Sequence, residues 1–134
     1  MKPKIFHPWD LTEEEAHKLQ VELASKVIQK DNVNNKPELV AGVDVAYGKN
    51  NQTIIAAIVV INFNTLEVVE EIIVEDDSQF PYIPGLFSFR EIPSIVKAFK
   101  KLKNSPDIVV CDGHGYAHPR RFGLACHLGV LFDV

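Results

Sequence analysis

Apolar positions along the chain switch between helical spacing and runs of β-branched residues. Thr12 with Glu15 three residues on has the form of a capping box, and Ala16, Leu19, Leu23, Ala24 and Val27 then recur at helical spacing. This predicts a helix from Thr12 to about Lys30, followed by an Asn-rich loop over 31–37. Residues 39–47 read as a strand built on Val40, Val43 and Val45, with Asp44 embedded among them. The almost continuous apolar run 53–61 predicts a strand covered on both faces, and 66–74 predicts a third. The turns at 48–52 and 62–65 are short, so the three strands should form an antiparallel meander. Residues 75–78 are polar and predict a break. Two prolines, a glycine and two aromatics exclude regular structure over 80–85. Phe87 to Glu91 then leads into a helix that Pro93 can start, with Ile95, Val96, Phe99 and Leu102 on its apolar face. Lys97, Lys100, Lys101 and Lys103 give it a solvated side. A fourth strand over 107–111, a glycine-rich loop and a helix over 121–130 follow, and 131–134 reads as the entry to another strand.

The order helix, three meandering strands, helix, strand, helix gives a mixed α/β sheet, in which a parallel strand reached through a helix joins three antiparallel ones. That is the topology of the ribonuclease H-like fold, where carboxylates from the first and fourth strands meet at the centre of the sheet. The 134 residues suit one domain spanning 1–134. With 46% hydrophobic and 24% charged residues, the composition is that of a globular protein with a working core. No apolar run approaches the ~18 residues of a membrane span, and residues 1–9 do not resemble a signal peptide. Cys111 and Cys126 lie far apart and outside any metal-type spacing, which predicts reduced, structural thiols and a cytoplasmic protein. The net charge of −4 argues mildly against nucleic acid as partner, but a local basic patch around an acidic site is compatible with it.

Candidate chemistry concentrates in 108–121, where a short strand delivers Asp112 into a loop containing Gly113, His114, Gly115, His118, Arg120 and Arg121. Alone, this reads equally as an active site or as a plain turn. Asp44 and Glu91 supply possible partners: an ionised carboxylate within an apolar strand is costly unless paired or bound to metal. Three carboxylates suit Mg²⁺ or Mn²⁺, and a metal so held beside a phosphodiester can activate water. His118 reads as a proton donor, as a ligand of the scissile phosphate, or as a core histidine bonded to backbone. Arg90, Arg120 and Arg121 read as phosphate partners or as surface charges. The loop Pro81, Tyr82, Ile83, Pro84 has the stiffness and apolarity of a wedge that opens a duplex, and Gly85, Gly113, Gly115 and Gly123 would let a planar base lie against bare backbone. His7 carries no assignment, His17 reads as a surface residue, and the role of His127 stays open.

Three segments, GVDVA at 42–46, PYIPGLFSFRE at 81–91 and DGHGYAHPRRFGLACHLG at 112–129, closely resemble the endonuclease V family of deoxyinosine repair endonucleases. The resemblance implies a DNA repair hydrolase that uses Mg²⁺, with Mn²⁺ as a substitute, to cut the second phosphodiester bond 3′ to deoxyinosine in DNA. Some members act on inosine in RNA. It implies Asp44, Glu91 and Asp112 as metal-binding catalytic acids, His118 beside the scissile phosphate, and Tyr82 at the tip of the strand-separating wedge. The hypoxanthine would lie in a pocket of Gly85, Phe87, Gly113, Gly115 and Gly123. Two departures stand out. His114 occupies a loop position where the family pattern has Gln. Family members also run on through a further strand, a lysine and a last catalytic Asp, so the expectation is a fold incomplete at its C-terminus. Two consequences follow: self-association through an uncovered sheet edge, and, as an alternative function, binding of inosine-containing or branched nucleic acid without cleavage.

Overall fold

The computed structural model describes residues 1–31 and 36–134; the centre of the expected Asn-rich loop, 32–35, lies outside the described residues. The elements are α1 (Glu13–Ala24), β1 (Leu39–Tyr47), β2 (Thr53–Asn62), β3 (Val68–Asp77), α2 (Phe87–Phe99), β4 (Ile108–Cys111) and α3 (Leu124–Phe132). The four strands form one sheet in the order β3-β2-β1-β4. β1 is antiparallel to β2, β2 antiparallel to β3, and β1 parallel to β4. This is the mixed sheet that the pattern predicts.

Among the described residues, the helices that cover the sheet, α2 and α3, pack on one face of it. On β2 the side chains of Ile54, Ala56, Ile58 and Val60 are buried, with Ala41 and Val43 of β1 and Val74 of β3 beside them. α2 covers them with Ile92, Ile95, Ala98 and Phe99, and α3 adds Leu124, Leu128, Leu131 and Phe132. Burying each Val, Leu, Ile or Phe side chain among them contributes roughly 1.5–3 kcal/mol. The alternate residues of the strands point the other way. Ile55, Ala57, Val59 and Ile61 of β2 are only half-buried, and on the same face Ile73 is 71% and Val110 57% exposed. The expectation that β2 is covered on both faces is therefore corrected: its continuous apolar run makes two different faces, one packed and one open.

Several boundaries also differ from expectation; β3 starts at Val68 and α3 at Leu124, two and three residues later than the pattern predicts. Thr12 does cap α1, where its Oγ1 accepts the Glu15 N–H at 3.2 Å and donates to Glu15 Oε1 at 3.0 Å. The helix stops at Ala24, because the Ser25 hydroxyl returns to the Glu22 carbonyl at 2.8 Å and competes with the helical pattern. The polar residues 75–77 continue β3 instead of breaking it, since Asp76 is held by Ser94 and Lys97 of α2. α2 begins at Phe87, which puts Pro93 beyond its first turn; the buried apolar face of the helix outweighs the missing N–H. Residues 131–132 finish α3 instead of starting a strand, and Asp133 closes the helix in the left-handed conformation at φ 58°.

Candidate functional site

The parallel register pairs Val43 with Cys111, so the next residues, Asp44 within β1 and Asp112 just past β4, lie side by side on neighbouring strands. Both are exposed. Glu91, on the fifth position of α2, faces the same place but is buried, 4% exposed. The three acids line one cleft of about 200 Å³ with Val43, Val45, Tyr47, Phe87, Ile95, Gly113 and Leu124. Burial pushes the Glu91 carboxyl up to about 7; the hydroxyl of Tyr47 opposes this, donating to Glu91 Oε1 at 2.6 Å, and the charges of Asp44 and Asp112 add to it. The Tyr47 phenol is raised in turn, by burial and by Glu91. The cost of an ionised acid therefore falls on Glu91 in its helix, while Asp44 is exposed.

The donor chemistry, three carboxylates around a cleft open to solvent, fits a hard divalent cation. Among the described residues, however, no group of three or more His, Cys, Asp or Glu side chains is placed so as to hold an ion as it stands. Glu91 is engaged by Tyr47, and Asp44 Oδ1 accepts the Val45 N–H at 2.8 Å.

A second pocket, of about 310 Å³, adjoins the acid cleft. Phe87, Gly113 and Leu124 line both. The pocket is completed by Tyr82, Pro84, Gly85, Ser88, His114, His118, Phe122 and Gly123. Ile83 to Leu86 form a tight turn with Pro84 and Gly85 at its centre: the Leu86 N–H donates to the Ile83 carbonyl at 2.9 Å and Gly85 has φ 82°, the signature of a type II turn. Tyr82 stands out from this turn, 66% exposed; Pro81 and Pro84 are also exposed, while Ile83 packs inward on Phe80, Leu86 and Phe89. On the far wall Gly123 admits no side chain, because a Cβ there would lie 2.2 Å from the His114 carbonyl oxygen. Of the five expected pocket residues, Gly115 lies outside: its backbone carbonyl accepts the Gly123 N–H and it packs against Ala125 of α3.

The expected phosphate partners separate. Arg90 donates to the carbonyls of Phe80 and Asn51 and lies over the Tyr47 ring. Arg120 donates to Gln20 Oε1 and to the Gly85 carbonyl. Both guanidinium groups therefore act as internal struts, and only Arg121, which is exposed and in contact with the Tyr116 ring, faces solvent. His118 follows the backbone-bonded alternative. Its Nε2 meets the Gly85 carbonyl at 2.9 Å and its Nδ1 accepts the Arg120 N–H at 3.1 Å. Partial burial holds its pKa below the usual 6.5, and the charge of Arg120 pushes the same way.

Sequence reasoning missed Gln20 and Tyr47 here and left His127 open. Gln20 donates to the carbonyls of Gly85 and Phe122 at 2.9 and 3.1 Å, so the Gly85 carbonyl collects Gln20, His118 and Arg120 and the turn under Tyr82 is locked. Its signal was a polar residue four positions after Ala16, on the apolar face of α1. Tyr47 occupies the buried face of β1 with Ala41, Val43 and Val45, which the period of two could have shown. His127 is fully buried; its Nε2 meets His7 Nε2 at 2.8 Å and its Nδ1 meets the Ser88 hydroxyl at 2.9 Å. It lies between Leu124 and Leu131 at helical spacing, so its burial was legible, but its partner His7, 120 positions away, was not.

A mixed sheet that brings carboxylates from β1, α2 and β4 around one cleft puts the chain in the ribonuclease H-like class. The family model described as Endonuclease V matches residues 21–134, and the chain belongs to the endonuclease V family. It is 47% identical over 128 residues to the endonuclease V of Trichormus variabilis, a match covering 96% of this chain and 58% of that protein. The chain thus spans less than three-fifths of that relative's length. The crystal structure of the Streptomyces avermitilis endonuclease V superposes with a TM-score of 0.87 at 46% identity, covering 100% of this chain and 59% of that one. A Ciona intestinalis endonuclease V, crystallised with a 23mer DNA containing an inosine followed by a ribo-adenosine, superposes with a TM-score of 0.82 at 31% identity over 92% of this chain and 56% of its own.

Proposed function

We propose that this chain carries the catalytic acids and the base pocket of a deoxyinosine-directed DNA endonuclease. The observation that carries the reading is the shared wall: Phe87, Gly113 and Leu124 separate three carboxylates from a glycine-lined pocket beneath an exposed aromatic. Tyr82 and its prolines would enter the duplex as the wedge, and the flipped hypoxanthine would lie against Phe87 and the bare backbone of Gly85, Gly113 and Gly123. Asp44, Glu91 and Asp112 would hold Mg²⁺, or Mn²⁺ in its place. The bound ion would supply water activation and charge neutralisation at the second phosphodiester 3′ to the lesion. Glu91 must lose its proton and turn from Tyr47 to contribute. His118 would act mainly by fixing the Gly85 turn, and Arg121 would meet a phosphate. Inosine in RNA is a second substrate of the same pocket.

The test is incubation with a deoxyinosine duplex and Mg²⁺ or Mn²⁺, beside an Asp44→Ala variant. Cleavage that is lost in the variant supports the reading. A gel shift without cleavage supports the second one, a binding module for inosine-containing nucleic acid; what favours it is that the three acids do not converge as a ligand set. The open sheet face further supports self-association, which a clean monomer in sedimentation at tens of micromolar would refute.

A further inference from the structure

Four residues with polar side chains line the pocket: Tyr82, Ser88, His114 and His118. Tyr82 and His114 are exposed at the mouth, and both ring nitrogens of His118 are engaged by backbone. Ser88 alone belongs to the buried interior, 3% exposed.

The direction of its hydroxyl is set from far away. His7 Nδ1 meets the Pro8 carbonyl at 2.7 Å, and a carbonyl only accepts, so Nδ1 carries the His7 proton. His7 Nε2 is then a bare acceptor, and His127 Nε2, 2.8 Å away, must donate to it. That leaves His127 Nδ1 bare, and the Ser88 hydroxyl, 2.9 Å away, must donate in turn. Trp9, Phe89 and Phe122 enclose the imidazoles with aromatic rings, and burial lowers the pKa of both below 6.5, which keeps them neutral.

With its proton committed to His127, Ser88 can offer a pocket ligand only lone pairs. We propose that Ser88 is a specificity-determining acceptor, which pairs with a ring N–H of a planar lactam such as a 6-oxopurine, and that His127 and His7 are positioning residues that fix its polarity. A purine whose corresponding ring nitrogen carries no hydrogen would present a lone pair to a lone pair. The inference rests on the base-pocket reading above.

The experiment uses the intact chain in EDTA and two oligonucleotides that differ at one nucleotide, deoxyinosine or deoxynebularine, the second lacking the ring N–H. Binding is measured by fluorescence anisotropy for the wild type, Ser88→Ala and His7→Ala. The ¹⁵N shifts of His127 are read in the free protein. The expected results are a His127 protonated on Nε2 and bare on Nδ1, and a preference for deoxyinosine that shrinks about five- to tenfold in Ser88→Ala, through loss of deoxyinosine affinity. His7→Ala should shrink it less. A Ser88→Ala variant that binds deoxyinosine oligonucleotide with wild-type preference, or a His127 protonated on Nδ1, overturns this inference alone. A wild type that binds neither oligonucleotide overturns the base-pocket reading, and this inference with it.

Discussion

Replacing Glu91 with glutamine should stabilise the chain in alkaline buffer and leave it nearly unchanged in acid. Glu91 is 4% exposed, and burial, reinforced by the charges of Asp44 and Asp112, raises its pKa from 4.5 to about 7. The folded chain therefore holds a proton that the unfolded chain has released. The stability this provides is complete below about pH 4.5 and is lost as the pH rises through about 7. The interval corresponds to about 3 kcal/mol, at ~1.4 kcal/mol per pH unit. Glutamine keeps the shape and the acceptor oxygen for Tyr47 but cannot ionise, so it escapes the loss. Urea denaturation of both proteins in EDTA at pH 4 and pH 8 measures this. The midpoints should coincide at pH 4, and the variant should gain roughly 1–3 M at pH 8 for urea slopes of ~1–3 kcal/mol/M. An equal difference at both pH values would show that Glu91 is not held in its neutral form, and the electrostatic account of the cleft would fail.

Tyr47→Phe removes the donor 2.6 Å from Glu91 Oε1, so the carboxyl titration followed by ¹³C NMR should move above about 7 and stability at pH 8 should drop by about 1.5–3 kcal/mol. Gln20→Ala takes a donor from the Gly85 and Phe122 carbonyls and the acceptor from Arg120; a loss of about 2–3 kcal/mol in urea is expected, and a change under about 0.5 kcal/mol would show that the clamp is not structural. Gly123→Ala drives a methyl against the His114 carbonyl, 2.2 Å from its Cβ; circular dichroism should show a melting point lowered by several degrees or no cooperative transition. Tyr82→Ala, at an exposed tip, should leave stability within about 0.5 kcal/mol while weakening binding to a deoxyinosine duplex.

What the sequence disclosed was what repeats locally. The β-branched run of Val40, Val43 and Val45 located β1 to the residue, and the acids drew attention by position: Asp44 interrupts an apolar strand, Glu91 opens a helix and Asp112 ends a strand. Faces were harder to read. A run such as that of β2 is apolar on both sides whether or not both are packed, so periodicity carried no information about the open face. Arginines were hard to place for a related reason. Arg90 and Arg120 look like anion ligands in a string of letters, yet carbonyls of Phe80, Asn51 and Gly85, anonymous in any sequence, engage them. The same anonymity hid the His118 contacts. Helix ends failed where a side chain outcompeted the backbone pattern, as Ser25 does at the end of α1.

The open face of the sheet also has a thermal meaning. Ile55, Val59, Ile73 and Val110 are already wholly or partly hydrated in the folded chain, so unfolding transfers little new apolar surface from them into water. The heat-capacity increment should fall below the ~12–15 cal/mol/K per residue of fully packed domains. A smaller increment flattens the dependence of stability on temperature. Heat and cold denaturation then lie farther apart for a given maximal stability, and calorimetry would show a small step in heat capacity between the folded and unfolded baselines.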